Sequence, residues 1–145
     1  MLSAKLASMQ SKDPSTKVGA VLVRGRRVVG TGFNGFPCGI ADDDRLNLRT
    51  EKYELIIHAE MNALLDAGKD ARGCTLFLYG FRSAPCRNCT KHLIQAGIRA
   101  VVACGPELPV RWIEPVKRAE ETLNEADILV TILDESKLEN TVDVG

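Results

Sequence analysis

With 145 residues the chain has the length of one compact domain, able to bury about two thirds of the surface it would expose unfolded. Its 19 basic and 19 acidic side chains cancel, so the composition makes no case for binding polymeric nucleic acid. No apolar run approaches the roughly 18 residues needed to cross a bilayer, and the opening residues lack a signal-like apolar stretch, so a cytoplasmic protein away from membranes is expected.

Leu2, Leu6 and Met9 recur at helical spacing and predict an opening helix, ended by Asp13-Pro14-Ser15. Val18 to Val23 and Arg27 to Phe33 read as strands joined by the turn at Arg24-Gly25-Arg26, a hairpin apolar on both faces. Gly35, Pro37 and Gly39 mark a loop, followed by the acidic turn Asp42-Asp43-Asp44, and Arg45 to Ile57 reads as a short helix or an extended approach. Met61, Leu64 and Leu65 form one face of a helix that stops at Gly68. Cys74 to Tyr79 is a strand. Pro85 to Ala96 is a helix with Ser83 as its cap and Gly97 just past its end. Ile98 to Cys104 is a strand, Ile113 to Ala126 a helix and Ile128 to Leu133 a last strand. The order predicts an α/β domain over 1–134, a mixed sheet with helices on both faces, and a polar, loose tail over 135–145.

The five cysteines are an odd number, and in a reducing compartment a disulfide framework is the weaker reading. Cys86 and Cys89 are spaced to place both sulfurs on one side of a helical turn, where unpaired N–H groups and the helix dipole favour thiolate. With His58 they make a donor set for one zinc ion. Three protein donors leave the fourth tetrahedral position to water, which marks a catalytic site. The other histidine, His92, is the remaining candidate for a closed, structural site. Glu60 lies two residues after His58, a spacing that points roughly 200° apart in mid-helix. Both reach one point only if the helix begins at about His58. Glu60 is then a proton shuttle for the water, and zinc supplies the acidity that makes that water a nucleophile near pH 7.

The pattern His58-Ala59-Glu60 followed by Pro85-Cys86-Arg87-Asn88-Cys89 is the signature of the zinc nucleobase deaminases. Together with Ser11-Lys12-Asp13-Pro14-Ser15-Thr16-Lys17-Val18-Gly19-Ala20, Gly32-Phe33-Asn34-Gly35-Phe36-Pro37, Glu51-Lys52-Tyr53 and Ile94-Gln95-Ala96-Gly97-Ile98, it resembles the deoxycytidylate (dCMP) deaminases of the cytidine deaminase-like superfamily. The resemblance implies a three-layer α/β/α domain around a five-stranded mixed sheet. It implies hydrolytic deamination of dCMP to dUMP and ammonia, homo-oligomers, often hexamers, and regulation by dCTP and dTTP. By the same likeness Asn34 hydrogen-bonds the sugar or base, and the Ala59 N–H at a helix start holds the ring carbonyl. Ser11, Lys12, Ser15 and Lys17 offer hydroxyls and cations to the phosphate, and the lysines also read as solvated loop charge. Tyr53 stacks on the base, meets the phosphate or simply packs. The segment Tyr79 to Ala84 is longer than the family's usual connection, and Ala84 at its end borders the pocket. The loop with Gly35, Phe36, Gly39, Arg45 and Arg49 is the place for a triphosphate effector, with Mg2+ bridging it to the acidic turn. Rival readings are a deaminase of another nucleoside, nucleotide or tRNA base, a catalytically silent zinc-binding subunit, and a redox protein using Cys86 and Cys89.

Overall fold

The computed structural model describes residues 1–139. The elements follow the expected order: α1 (Leu2–Ser8), β1 (Gly19–Arg24), β2 (Arg27–Phe33), α2 (Arg49–Leu55), α3 (Ala59–Ala67), β3 (Thr75–Tyr79), α4 (Arg87–Ala96), β4 (Ala100–Cys104), α5 (Val110–Glu125), β5 (Leu129–Ile132) and α6 (Ser136–Glu139). The strands form one five-stranded sheet in the order β2-β1-β3-β4-β5. β1 is antiparallel to β2 and β3, while β3, β4 and β5 run parallel and are linked through α4 and α5. This is the mixed sheet expected from a hairpin followed by helical crossovers.

One sheet face carries Ala20, Leu22, Leu76, Leu78, Val101 and Ala103, which pack with Ala59 and Ala63 of α3, Leu93 of α4 and Leu123 of α5 into the main core. The opposite face receives α1, whose Ala4 carbonyl would lie 2.0 Å from a Cβ at Gly19.

The large apolar residues do not mark the buried helix faces. Leu2 and Leu6 of α1 and Met9 just after it are exposed, as is Leu65 of α3, whereas Ala4, Ala7, Ala59, Ala63 and Ala67 are buried. The reason lies in the sheet. Gly30 and Gly32 of β2 let α3 approach until a Cβ at either would come within 2.5 Å of a helix carbonyl, so only small side chains fit between them. β2 is an edge strand with exposed Arg27, Val28 and Thr31, a departure from the fully covered hairpin expected. Its outer Thr31 N–H is covered by the Asp66 carboxylate of α3 at 2.8 Å, which blunts the edge against further strand pairing.

Three boundaries shift. The ambiguous stretch Arg45 to Ile57 resolves into a 3-10 turn at Asp44–Asn47, then α2, then an extended approach in which Ile57 bridges Gly35. Ser83 does not cap α4; its hydroxyl bonds the Ala84 carbonyl, and Cys86 occupies the cap position. α5 begins at Val110, because Pro109 supplies a fixed φ ahead of the first turn. Gly97 ends α4 in the left-handed conformation, φ 82°, as its position predicts. After Asp134 the chain is anchored: the Glu135 carboxylate accepts from Lys5 and Tyr79, and Leu138 is buried. Residues 140–145 of the expected tail lie outside the described residues.

Candidate active site

α3 and α4 start side by side, and both starts carry the chemistry. His58 is the cap residue of α3, in extended backbone (φ −71°, ψ 152°), so its imidazole and the Glu60 side chain of the first turn escape the opposition that mid-helix spacing would impose. Cys86 caps α4 and Cys89 sits in its first turn. The Cys86 and Cys89 sulfurs lie 3.3 and 3.4 Å from His58 Nδ1. Tetrahedral zinc with Zn–S near 2.3 Å and Zn–N near 2.0 Å would separate sulfur from nitrogen by about 3.5 Å, so the donor set fits one such ion. Among the described residues these three alone form a metal-holding group; His92 is exposed and bonds the Asn88 carbonyl.

The electrostatics favour the thiolate form of Cys86, the form that binds zinc. Hydrogen bonds from Cys89 and His58 hold the Cys86 thiol down at about 4, and the bond to Cys86 raises His58 to about 9. Cys89 is pushed up, because its proton is shared toward Cys86. Glu60 is 5% exposed, and burial, reinforced by the Cys86 charge, raises its carboxyl above the ordinary range. A buried, basic carboxylate beside a metal donor set is equipped to take and return a proton.

The site opens into a cavity of about 1250 Å3. It brings together His58, Ala59, Glu60, Cys86, Asn34, Ser15, Tyr53 and Ala84 of the expected residues. Ala59 is the first residue of α3, so its N–H is a donor the helix does not use internally. Asn34 is 6% exposed and its carboxamide is engaged with the backbone: Oδ1 accepts from Val18 N and Nδ2 donates to Thr16 O, both at 2.9 Å.

Three residues of the expected phosphate set are not brought there. Ser11 is 1% exposed and its hydroxyl donates to the Asn34 carbonyl, a purely internal bond. Lys17 donates to the Ser11 carbonyl. Lys12 pairs with Asp42 and lines a smaller cavity of about 310 Å3 with Gly35, Phe36 and Gly39. Of the residues expected at an effector loop, Arg45 pairs with Asp43 and lies over the Phe36 ring, whereas Arg49 turns to the main cavity, stacked on Tyr53 and donating to its hydroxyl.

Besides Arg49, the main cavity is lined by cations that are not among the expected site residues: Lys52 on α2, Arg87 and Lys91 on α4, and Arg111 on α5. Arg87 and Lys91 are four apart, hence on one helical face, beside the cysteine motif, and that spacing was available in the sequence. Arg111 and its neighbour Trp112 reach the cavity only through the packing of α5 on α4.

Two thiol donors and an imidazole at adjoining helix starts, open to a cavity and flanked by a buried carboxylate, define a zinc-dependent hydrolytic site rather than a structural one. Residues 1–105 match the model of the cytidine and deoxycytidylate deaminase zinc-binding region. The chain is 40% identical over 134 residues to the deaminase in the luxG 3′ region of Aliivibrio fischeri, covering 90% of this chain and 88% of that protein. It is 39% identical over 110 residues to human deoxycytidylate deaminase, covering 70% of this chain and 60% of the human protein. The fold matches the crystal structure of dCMP deaminase from the cyanophage S-TIM5, with a TM-score of 0.71 and 25% identity over 91% of this chain and 92% of the phage chain. The same phage enzyme is also known in complex with dCMP and dUMP, with a TM-score of 0.69 and 26% identity over 92% of this chain and 91% of that one. The chain belongs to the cytidine and deoxycytidylate deaminase family and is a zinc-dependent hydrolytic deaminase.

Proposed function

We propose that this protein deaminates deoxycytidylate to deoxyuridylate and ammonia. The observation that carries the reading is the buried Glu60 beside the His58, Cys86 and Cys89 donors, in a cavity that also presents Arg49, Arg87, Lys91 and Arg111. Zinc, held by those three donors, supplies the Lewis acidity that makes water nucleophilic near neutral pH. Glu60 takes a proton from the water as its oxygen bonds to the ring carbon bearing the amine. It delivers that proton to the adjacent ring nitrogen. A second proton from the water oxygen passes through Glu60 to the amine, the carbon–nitrogen bond breaks, and ammonia leaves. The Ala59 N–H holds the ring carbonyl, Asn34 offers its remaining Nδ2–H to the sugar, Tyr53 lies beside the base, and Ser15 with the cavity cations receives the phosphate. The names of the human and phage relatives support deoxycytidylate as substrate.

Ammonia release from dCMP, deoxycytidine, dCTP and an RNA hairpin tests the substrate. Fastest turnover of dCMP is expected. Equal turnover of deoxycytidine would remove the phosphate from recognition, and turnover of the hairpin alone would replace the reading with RNA deamination.

The smaller cavity of Gly35, Phe36 and Gly39 is the proposed seat of a dCTP or dTTP effector with Mg2+, its charge met by Lys12 in the lining and by Arg45 over the Phe36 ring. Rates that respond to either triphosphate would support it. The exposed Leu2, Leu6, Met9 and Leu65 favour a homo-oligomer, a hexamer by family likeness, which light scattering of the purified protein would detect. The unpaired thiols of Cys38, Cys74 and Cys104 fit a reducing, cytoplasmic setting for this single domain. No described helix is long and apolar enough to cross a membrane.

A further inference from the structure

The wall of the active-site cavity contains a buried ion pair that the proton chemistry does not use. Lys52 is 8% exposed and Asp13 3%, and the ammonium lies 3.2 Å from the carboxylate. Burying such a pair costs desolvation of both charges, so its presence asks for a purpose beyond stability. Its partners show where its influence goes. Lys52 Nζ also donates to Ser15 Oγ at 2.8 Å. Asp13 Oδ1 collects Ser15 N and Oγ, both at 2.9 Å, and Thr16 N at 3.1 Å, which folds residues 13–16 around the carboxylate. The next links are the Thr16 carbonyl and the Val18 N–H, which grip the two ends of the Asn34 carboxamide. A carboxamide held at both oxygen and nitrogen cannot turn about its last torsion, so its one remaining N–H points where the loop directs it.

We infer that Lys52 is a positioning residue: by clamping the 13–18 loop to α2 it aims the Asn34 carboxamide at the nucleotide. This rests on the proposed reading of Asn34 as a substrate contact. α2 thereby sets one side of the pocket twice, through Tyr53 and Arg49 at its surface and through Lys52 beneath them. A group misplaced by a fraction of an ångström loses its value in recognition, which is why a remote clamp matters to binding.

The test uses the zinc-loaded enzyme and two readouts. In the 15N spectrum, the Asn34 side-chain NH2 pair of the wild type is expected to have one proton protected from exchange, the one bonded to the Thr16 carbonyl. Lys52→Met should shift both and remove the protection, and Lys52→Arg should restore them. In kinetics, Lys52→Met should raise KM for dCMP on the order of 10- to 100-fold with kcat changed far less. In an Asn34→Ala background the same substitution should add little, because its effect runs through the missing carboxamide. If Lys52→Met does not fold, Ser15→Ala removes one acceptor of the ammonium without stranding a charge, and a smaller loss of Asn34 amide protection is expected, read in the spectrum alone because Ser15 is itself placed at the phosphate. An unchanged Asn34 amide, or an equal KM penalty with and without Asn34, overturns the inference. A wild type inert toward dCMP would instead overturn the substrate reading, and the amide readout would still decide the role of Lys52.

Discussion

A carboxyl group that is almost wholly buried beside a thiolate keeps its proton more readily than one in water, and in Glu60 burial and the Cys86 charge outweigh the opposing pull of His58. Glu60→Gln keeps the shape and the neighbours and removes only the proton exchange. Turnover is expected to fall by about 10²–10⁴-fold with zinc content unchanged, read by metal analysis alongside ammonia release. Loss of zinc from the same variant would make Glu60 part of the donor set instead. Cys89→Ser acts on the other half of the site. It exchanges a soft thiolate for a weak hydroxyl donor, and retained zinc should drop sharply on dialysis.

At the scale of elements the decisive contact is α3 on β2. A Cβ at Gly32 would sit 2.3 Å from the Ala59 carbonyl and 2.4 Å from the Ala63 amide nitrogen, and neither backbone atom can rotate away. Gly32→Ala must therefore push the start of α3 off the sheet. Destabilisation of about 1–3 kcal/mol is expected by thermal or urea unfolding, and activity should fall as well because His58 and Glu60 ride on that helix start. The matched substitution Gly25→Ala, at the hairpin turn with nothing within 4 Å, should touch stability through its left-handed backbone alone and leave turnover intact.

Over the whole molecule, acid stability should report the Lys52–Asp13 pair. Burial pushes the Asp13 carboxyl up, but hydrogen bonds from Ser15, Thr16 and Lys52 outweigh it and hold the group below its ordinary value of 3.8. A carboxyl lowered by folding stabilises the fold fully above its unfolded pKa, and this contribution disappears as pH falls through the folded value. Asp13→Asn is thus expected to cost about 3–5 kcal/mol near pH 7, where it strands a buried ammonium. The gap to wild type should begin to narrow near pH 3.8 and go on shrinking as pH falls through the lowered folded value, as seen in denaturant unfolding across pH. A gap constant with pH would assign the loss to packing. Removing zinc with a chelator should lower Tm in both proteins, since a ligand bound to the native state alone adds to its stability.

The sequence by itself determined the order of elements, the mixed sheet and the metal site, because each is written in local spacing. The His-x-Glu pattern demanded a helix start at His58, the Cys-x-x-Cys pair needed one helical turn, and strands and turns announced themselves through β-branched runs and glycines. Tertiary structure alone decided which faces are buried and which cations meet the substrate. Alanines rather than leucines line the inner faces of α1 and α3, because Gly19, Gly30 and Gly32 on facing strands leave no room for more. Ser11, Lys12 and Lys17 read as phosphate ligands in a one-dimensional motif, yet the fold spends them on internal bonds and a second cavity. Arg111, near the far end of the chain, arrives at the site only because α5 packs on α4. Such contacts join residues far apart in the chain, and no local period records them.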